Sequence, residues 1–265
     1  MRELERDPPI TESATEAPLP ALAIIGAGRV GSTLAAAAAR TEIEVRLAGR
    51  HDALAAYRAS RAALLCVPDE AIADAAVVAA EAVPPLELVG HASGATTLEA
   101  LAPASAAGAA TFSLHPLQTV PDPGADLTGS PCAISGSNAE ALGFARALAL
   151  RLGMTPFAVA ERDRVLYHAA ACIASNFLVT LEESAAGLLE RAGTPAAREL
   201  LAPLVLRTAA NWTERGGDAL TGPVARGDRE TVAGHLDALR TNAPELVELY
   251  EALVERTEAL AETQG

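Results

Sequence analysis

From Ala21 to about Ala160, short apolar runs alternate with stretches whose apolar residues recur at helical spacing. "ALAIIG" predicts a buried strand and "RVGSTLAAAAAR" a helix. "IEVRLAG" predicts a second strand, followed by a helix through "DALAAYRAS". "AALLCVP" gives a third strand, with Asp69 placed to cap the helix "EAIADAAVVAAEA". "LELVGHASG", "GAATFSLHP" and "PCAISGS" give three more, and "AEALGFARALALRLG" is a helix with Gly153 at its C-cap. Strands alternating with helices predict the α/β class, with a doubly wound, mostly parallel sheet. Beyond residue 160 the pattern is helical throughout. "ERDRVLYHAAACIASNFLVTLEESAAGLLERAG" reads as one long helix ending at Gly193. A second opens at "TPAARELLAPLVLRTAANWTERGG", with Thr194 as N-cap and Pro195 in the first turn. Asp228 caps "RETVAGHLDALR", and Trp212 reads as core. The expected organisation is a disordered acidic tail at 1–20, a sheet domain at 21–160 and an all-α C-terminal domain at 161–265.

Composition narrows the chemistry. The formal charge is −14 without a basic run, which argues against nucleic acid. All twenty basic residues are arginine, so a lysine base, a lysine Schiff base and a P-loop are excluded. Cys66, Cys132 and Cys172 have neither zinc spacing nor a disulfide pattern, which suits a cytoplasmic protein. The first twenty residues have no apolar core for a signal peptide, and the most apolar stretches are short and carry acids, so no membrane partner is expected.

"AIIGAGRVGSTLA" sets Gly26, Gly28 and Gly31 in the GxGxxG arrangement between the first strand and the first helix. The first glycine permits the tight turn, the second lets a pyrophosphate approach, and the third lets helix and strand pack closely. Arg29 and Val30 lie at the helix start, and Val67 and Pro68 end the third strand. The second strand ends in "LAGRH", where an acid usually holds the NAD ribose. Arg50 suits a 2′-phosphate instead, so NADP(H) is favoured over NAD(H). A solvated loop arginine is the plain alternative.

Ligands of open α/β sheets gather at the carboxyl ends of strands. His91 and Ser93 follow the fourth strand there, and His115, Gln118 and Thr119 end the fifth. His115 can exchange a proton near neutral pH, and Ser93 can orient a substrate atom. The alternative is that both histidines bond loop backbone. On "YHAAACIASN", helical spacing puts His168, Cys172 and Ser175 on one face, with Asn176 at its margin and Tyr167 to the other side. That stripe meets either a ligand or a second subunit. Arg226 in "TGPVARGD" is a candidate anion clamp, or a surface partner of Asp228.

Together, "GAGRVGSTLA", "HASGA", "SLHPLQT", "YHAAACIASN" and "TGPVARGD" resemble a family of uncharacterised Rossmann-like oxidoreductases with a C-terminal helical domain of unknown function. The resemblance runs from about Ala21 to the end. It implies an NADP-linked homodimer whose helical domain is similar to that of 6-phosphogluconate dehydrogenase. "HASGA" and "SLHP" are also similar to segments of prephenate and arogenate dehydrogenases, which implies that Ser93 and His115 contact the reacting group. Those enzymes often follow the serine with lysine, where this chain has Gly94 and Ala95. Ketopantoate reductases and hydroxyacid dehydrogenases use a lysine on the first helix of the second domain. Here Tyr167 or His168 occupies that region.

The expected function is hydride transfer between NADP(H) and a small carbonyl, imine or hydroxy compound bound between the two domains. His115 would exchange the proton, Ser93 and Asn176 would orient the substrate, and Tyr167 or His168 would form a second polar wall. Gln118 and Arg226 are candidate substrate contacts. No metal is expected. The alternatives are a non-catalytic NADP-binding or sensing protein, which the absence of lysine supports, and a ketopantoate-type 2-oxo acid reductase.

Overall fold

The computed structural model describes residues 18–263; positions 1–17 of the expected tail lie outside the described residues. The chain divides into two compact units, one running to Cys172 and the other starting at Ile173. The first takes in most of a helix that the sequence pattern assigns to the C-terminal half.

Strands and helices alternate in the first unit as β1 (Leu22–Ile25), α1 (Arg29–Ala38), β2 (Val45–Ala48), α2 (Ala53–Arg58), β3 (Ala62–Leu65), α3 (Ile72–Ala80), β4 (Leu88–His91) and α4 (Ala102–Ala106). Then come β5 (Ala110–Pro116), β6 (Pro131–Gly136), α5 (Ala139–Arg151), β7 (Thr155–Ala158) and α6 (Arg164–Ala174). The strands form one sheet in the order β2-β1-β3-β4-β5-β6-β7, so the order reverses between β1 and β3. That reversal opens the crevice where ligands of doubly wound sheets bind. All neighbours are parallel except β5 and β6. The antiparallel step has a cause in the chain: residues 117–130 contain no helix to carry a parallel crossover.

The two faces of the sheet bury separate apolar layers. Phe112 and Leu114 of β5 pack on the layer that includes α1 and α5 residues. The alternation of a strand then turns Thr111, Ser113 and His115 to the opposite face, where register sets Ser113 beside His91 and Ser135. Gly90 is required next to them, since a Cβ there would lie 2.5 Å from the Phe112 ring. Gly153, at φ +81°, follows the end of α5 as expected.

Four helices make up the second unit: α7 (Asn176–Arg191), α8 (Ala197–Arg215), α9 (Arg229–Asn242) and α10 (Val247–Glu262). The Asp228 side chain accepts from the Thr231 amide at 3.1 Å and caps α9, as the sequence predicts. Three expectations are corrected. The single helix ending at Gly193 is interrupted at Ser175, whose φ of −127° and ψ of −71° end α6 and start α7. Thr194 and Pro195 do not open α8, because Ala196 takes a left-handed turn at φ 57° and the helix starts after it. Trp212 is 64% exposed rather than core. One helical stretch, Glu161–Arg191, is long and apolar enough to cross a membrane by length and composition. Its fully buried Arg164, tied by hydrogen bonds to the sheet, belongs to a folded unit.

Candidate active site

The glycine loop has the form its sequence predicts. Gly26 sits at φ +112°, and a Cβ on it would lie 2.3 Å from the Cys66 carbonyl oxygen. A Cβ on Gly31 would lie 1.9 Å from the Gly26 oxygen, so helix and loop touch through that glycine. Gly28 is different: a Cβ there would meet nothing within 4 Å. Gly28 is the N-cap of α1 and has no capping side chain, so the amides of Arg29, Val30 and Gly31 lack intrahelical acceptors. An open, amide-lined cradle at a helix N-terminus suits a pyrophosphate. Beside it is a pocket of about 250 Å³, lined by residues that include Arg50, Tyr57, Val67, Pro68 and Asp74. Arg50 is exposed and is in no ion pair among the described residues.

Farther along the same strand-end edge, the polar face of β5 meets α6. His115 Nδ1 lies 2.7 Å from the Tyr167 hydroxyl, and its ring stands edge-on to both Tyr167 and His168. Burial pushes the Tyr167 hydroxyl up to about 12, so it keeps its proton, and in the Nε2–H tautomer of His115 it donates to Nδ1. In that tautomer the imidazole proton is on Nε2, which makes no hydrogen bond among the described residues. Burial, with the charges of His168 and Arg164, brings His115 down to about 4, and the ring is neutral at neutral pH. His168 Nε2 contacts Cys172 Sγ at 3.6 Å, so helical spacing correctly paired these two. Gly94 faces the same cluster: a Cβ there would lie 2.5 Å from His168 Nδ1 and 2.9 Å from His115 Nε2. The two imidazoles occupy the space a side chain at 94 would need.

The other predicted residues are placed differently. Ser93 is buried, donates to Asp69 Oδ2 at 2.8 Å and accepts from the Thr96 amide at 3.0 Å, so its hydroxyl serves its own loop. Asp69 therefore receives Ser93 and does not cap α3, whose N-cap is Ala71. His91 is fully buried; neither ring nitrogen reaches a partner, although the Thr97 backbone is near enough to favour its charged form slightly. Burial dominates and lowers His91 to about 4. Gln118 bonds its own loop through the Thr119 amide and approaches Ser130. Asn176 opens α7 and Arg226 is exposed before α9, both in the second unit.

The sequence reading missed the residues beneath the cluster. Arg164 is fully buried and donates to Ser113 Oγ at 2.6 Å and to the Ser93 carbonyl at 2.5 Å. Glu161 accepts from Ser135 and from the Leu98 amide, each at 2.6 Å. The signal was the alternation itself, since Thr111, Ser113 and Ser135 put hydroxyls on the sheet face that also bears His91 and His115.

The fold and site define a Rossmann-type α/β protein with a C-terminal helical region. Residues 130–257 match the family model of a domain of unknown function, DUF2520. No curated protein matches the sequence. Among solved structures, the chain is similar to a candidate NADP oxidoreductase from Bacteroides fragilis, at 22% identity and a TM-score of 0.76, covering 91% of this chain and 98% of that one. Protein TM1727 from Thermotoga maritima is similar at 21% identity and a TM-score of 0.71, over 92% and 99%. A reductive aminase from Aspergillus terreus, in complex with NADPH and ethyl-5-oxohexanoate, is similar at 17% identity and a TM-score of 0.70, over 93% and 100%. At these identities the likeness establishes the shared fold.

Proposed function

We propose that the protein is an NADP(H)-dependent oxidoreductase acting on a small carbonyl, imine or hydroxy compound. The observation that carries this is the neutral His115, with its free Nε2 on the strand-end edge that also bears the glycine cradle. Gly28 and the first amides of α1 would hold the pyrophosphate, and Arg50 the 2′-phosphate. The nicotinamide, when bound, supplies or accepts the hydride. His115 Nε2 would donate its proton to the substrate oxygen or nitrogen. Tyr167 would pass its own proton to Nδ1, so the ring would never become an anion; a proton taken from water at Nε2 would then return the Nδ1 proton to the phenolate and restore the starting tautomer. Ser93 and Asp69 shape the loop that faces His115. The NADP-bound and NADPH-bound relatives of this fold are consistent with that assignment.

The test is consumption of NADPH with a panel of small carbonyls and imines. Affinity for NADPH without turnover of any panel member would move the reading to a binding or sensing protein. Arg50→Ala should weaken NADPH binding about tenfold or more and leave NADH unchanged, given the worth of a charge-assisted hydrogen bond. Equal losses for both nucleotides, by fluorescence titration, would remove Arg50 from the 2′-phosphate site.

The second unit is read as the homodimer surface. Its buried apolar residues among those described are Ala186, Ala197, Leu239 and Ala243, while Phe177, Val179, Leu200, Leu204, Leu206 and Trp212 are all more than half exposed. Four helices with so little core need their apolar faces covered, and a second copy of the same chain supplies an equal face. Light scattering should give a dimer, and Leu204→Glu combined with Leu206→Glu should give monomer or unfolded chain. A monodisperse wild-type monomer would refute it.

A further inference from the structure

We infer that Arg164 is the positioning residue of this site: its buried guanidinium holds α6 and the Ser93 loop at the spacing that the His115–Tyr167 hydrogen bond requires. Four elements meet at this one group. From the first turn of α6, Nη1 donates to Ser113 Oγ on β5 at 2.6 Å and approaches Ser135 Oγ on β6 at 3.4 Å. Nη2 donates to the Ser93 carbonyl after β4 at 2.5 Å. Glu161, 3.6 Å from Nη1, is its ion-pair partner and is itself held by Ser135 and the Leu98 amide. Ser113 is two residues before His115 on the same face of β5, and Tyr167 and His168 are one helical turn beyond Arg164. The guanidinium therefore bridges the two backbones whose side chains meet at His115 Nδ1.

Packing does not account for this residue. Arg164 is fully buried and its Nε has no hydrogen-bond partner among the described residues, so the group is incompletely satisfied there. A buried ion pair is weak evidence of stabilisation, since apolar side chains of similar volume often do as well or better. A fork that binds a hydroxyl and a carbonyl on separate elements is a task for arginine, whose donors are planar and divergent. The charge has a second effect on the same histidine. His115 senses His168 and Arg164 of α6, which disfavour its protonation, and Asp69, which favours it; the neutral Tyr167 is bonded to it and His91 stands on the next strand. Arg164 is thus a fixed positive charge near a ring that must stay neutral to accept from Tyr167.

The catalytic consequence rests on the function proposed above, but the test needs neither substrate nor cofactor, so the two can fail separately. Histidine ring nitrogens are followed by NMR with ¹⁵N-labelled histidine from acid to neutral pH, in the full chain, with His115 assigned through His115→Gln. In the wild type, Nδ1 should show the shift of a hydrogen-bonded acceptor, and the ring should stay neutral until close to pH 4. Arg164→Lys keeps the charge but cannot reach both acceptors. It should lose the Nδ1 acceptor signature while the ring remains neutral. Arg164→Met should lose the signature and move the titration up, as expected on removing a nearby like charge. If Arg164→Met does not fold, the lysine variant decides alone. A wild-type Nδ1 signature in Arg164→Lys would overturn the inference, as would an unchanged titration in a folded Arg164→Met.

Discussion

Replacing His115 with alanine is expected to slow turnover about 10²–10⁴-fold, the range for loss of a positioned acid–base group. NADPH affinity should be unchanged, because the glycine cradle and the Arg50 pocket are built from the end of β1, the segments that follow β1, β2 and β3, and helices α1, α2 and α3, and owe nothing to β5. The pH profile carries a second signature. His115 is lowered from 6.5 to about 4, so its protonation, and the reversal of the Tyr167 hydrogen bond with it, comes only as pH falls through that lower value. The acid limb of kcat/KM due to His115 should therefore lie near 4. A limb near 6.5 would show that the imidazole is not held neutral, and equal turnover by mutant and wild type would remove it from the mechanism.

The glycine loop gives the second large effect, because two of its glycines are needed for different reasons. Gly28→Val should leave the melting temperature unchanged: its φ of −76° and ψ of −172° suit any residue, and a Cβ meets nothing within 4 Å. The same side chain would fill the cradle, so NADPH affinity should fall about 100-fold or more, equivalent to roughly 3 kcal/mol. Gly31→Ala should do the reverse in order of cause. Its Cβ would lie 1.9 Å from a backbone oxygen that cannot swing aside, costing about 1–3 kcal/mol or more in stability. Thermal unfolding with and without NADPH separates the two. A Gly28→Val protein that binds NADPH as well as wild type would mean that the loop is not the pyrophosphate site.

Much of this was legible in the chain. The strands β1 to β6, the glycine loop and the Asp228 cap follow from local pattern, and so does the His168–Cys172 pair at helical spacing. Strand β7 escaped because Pro156 interrupts a short edge segment. The direction of β6 was written in the helix-free connection before it, a feature of topology and not of periodicity. The site was half legible. That His115 stands at a strand end follows from alternation. That its partner is Tyr167, 52 residues away, depends on how α6 is anchored, and the anchor is a buried arginine that reads in sequence as one more helix-surface charge. Ser93 and Asp69 show the converse: each was given a role from local pattern, and each is claimed by the other.

The most direct test is a crystal structure with NADPH and a slow carbonyl or imine substrate analogue. The account predicts that nicotinamide C4 and His115 Nε2 approach adjacent atoms of the same ligand, each at a near-attack distance of about 3–3.5 Å. A nicotinamide lying away from the β4 and β5 ends, with His115 Nε2 bonded to protein instead of ligand, would contradict it.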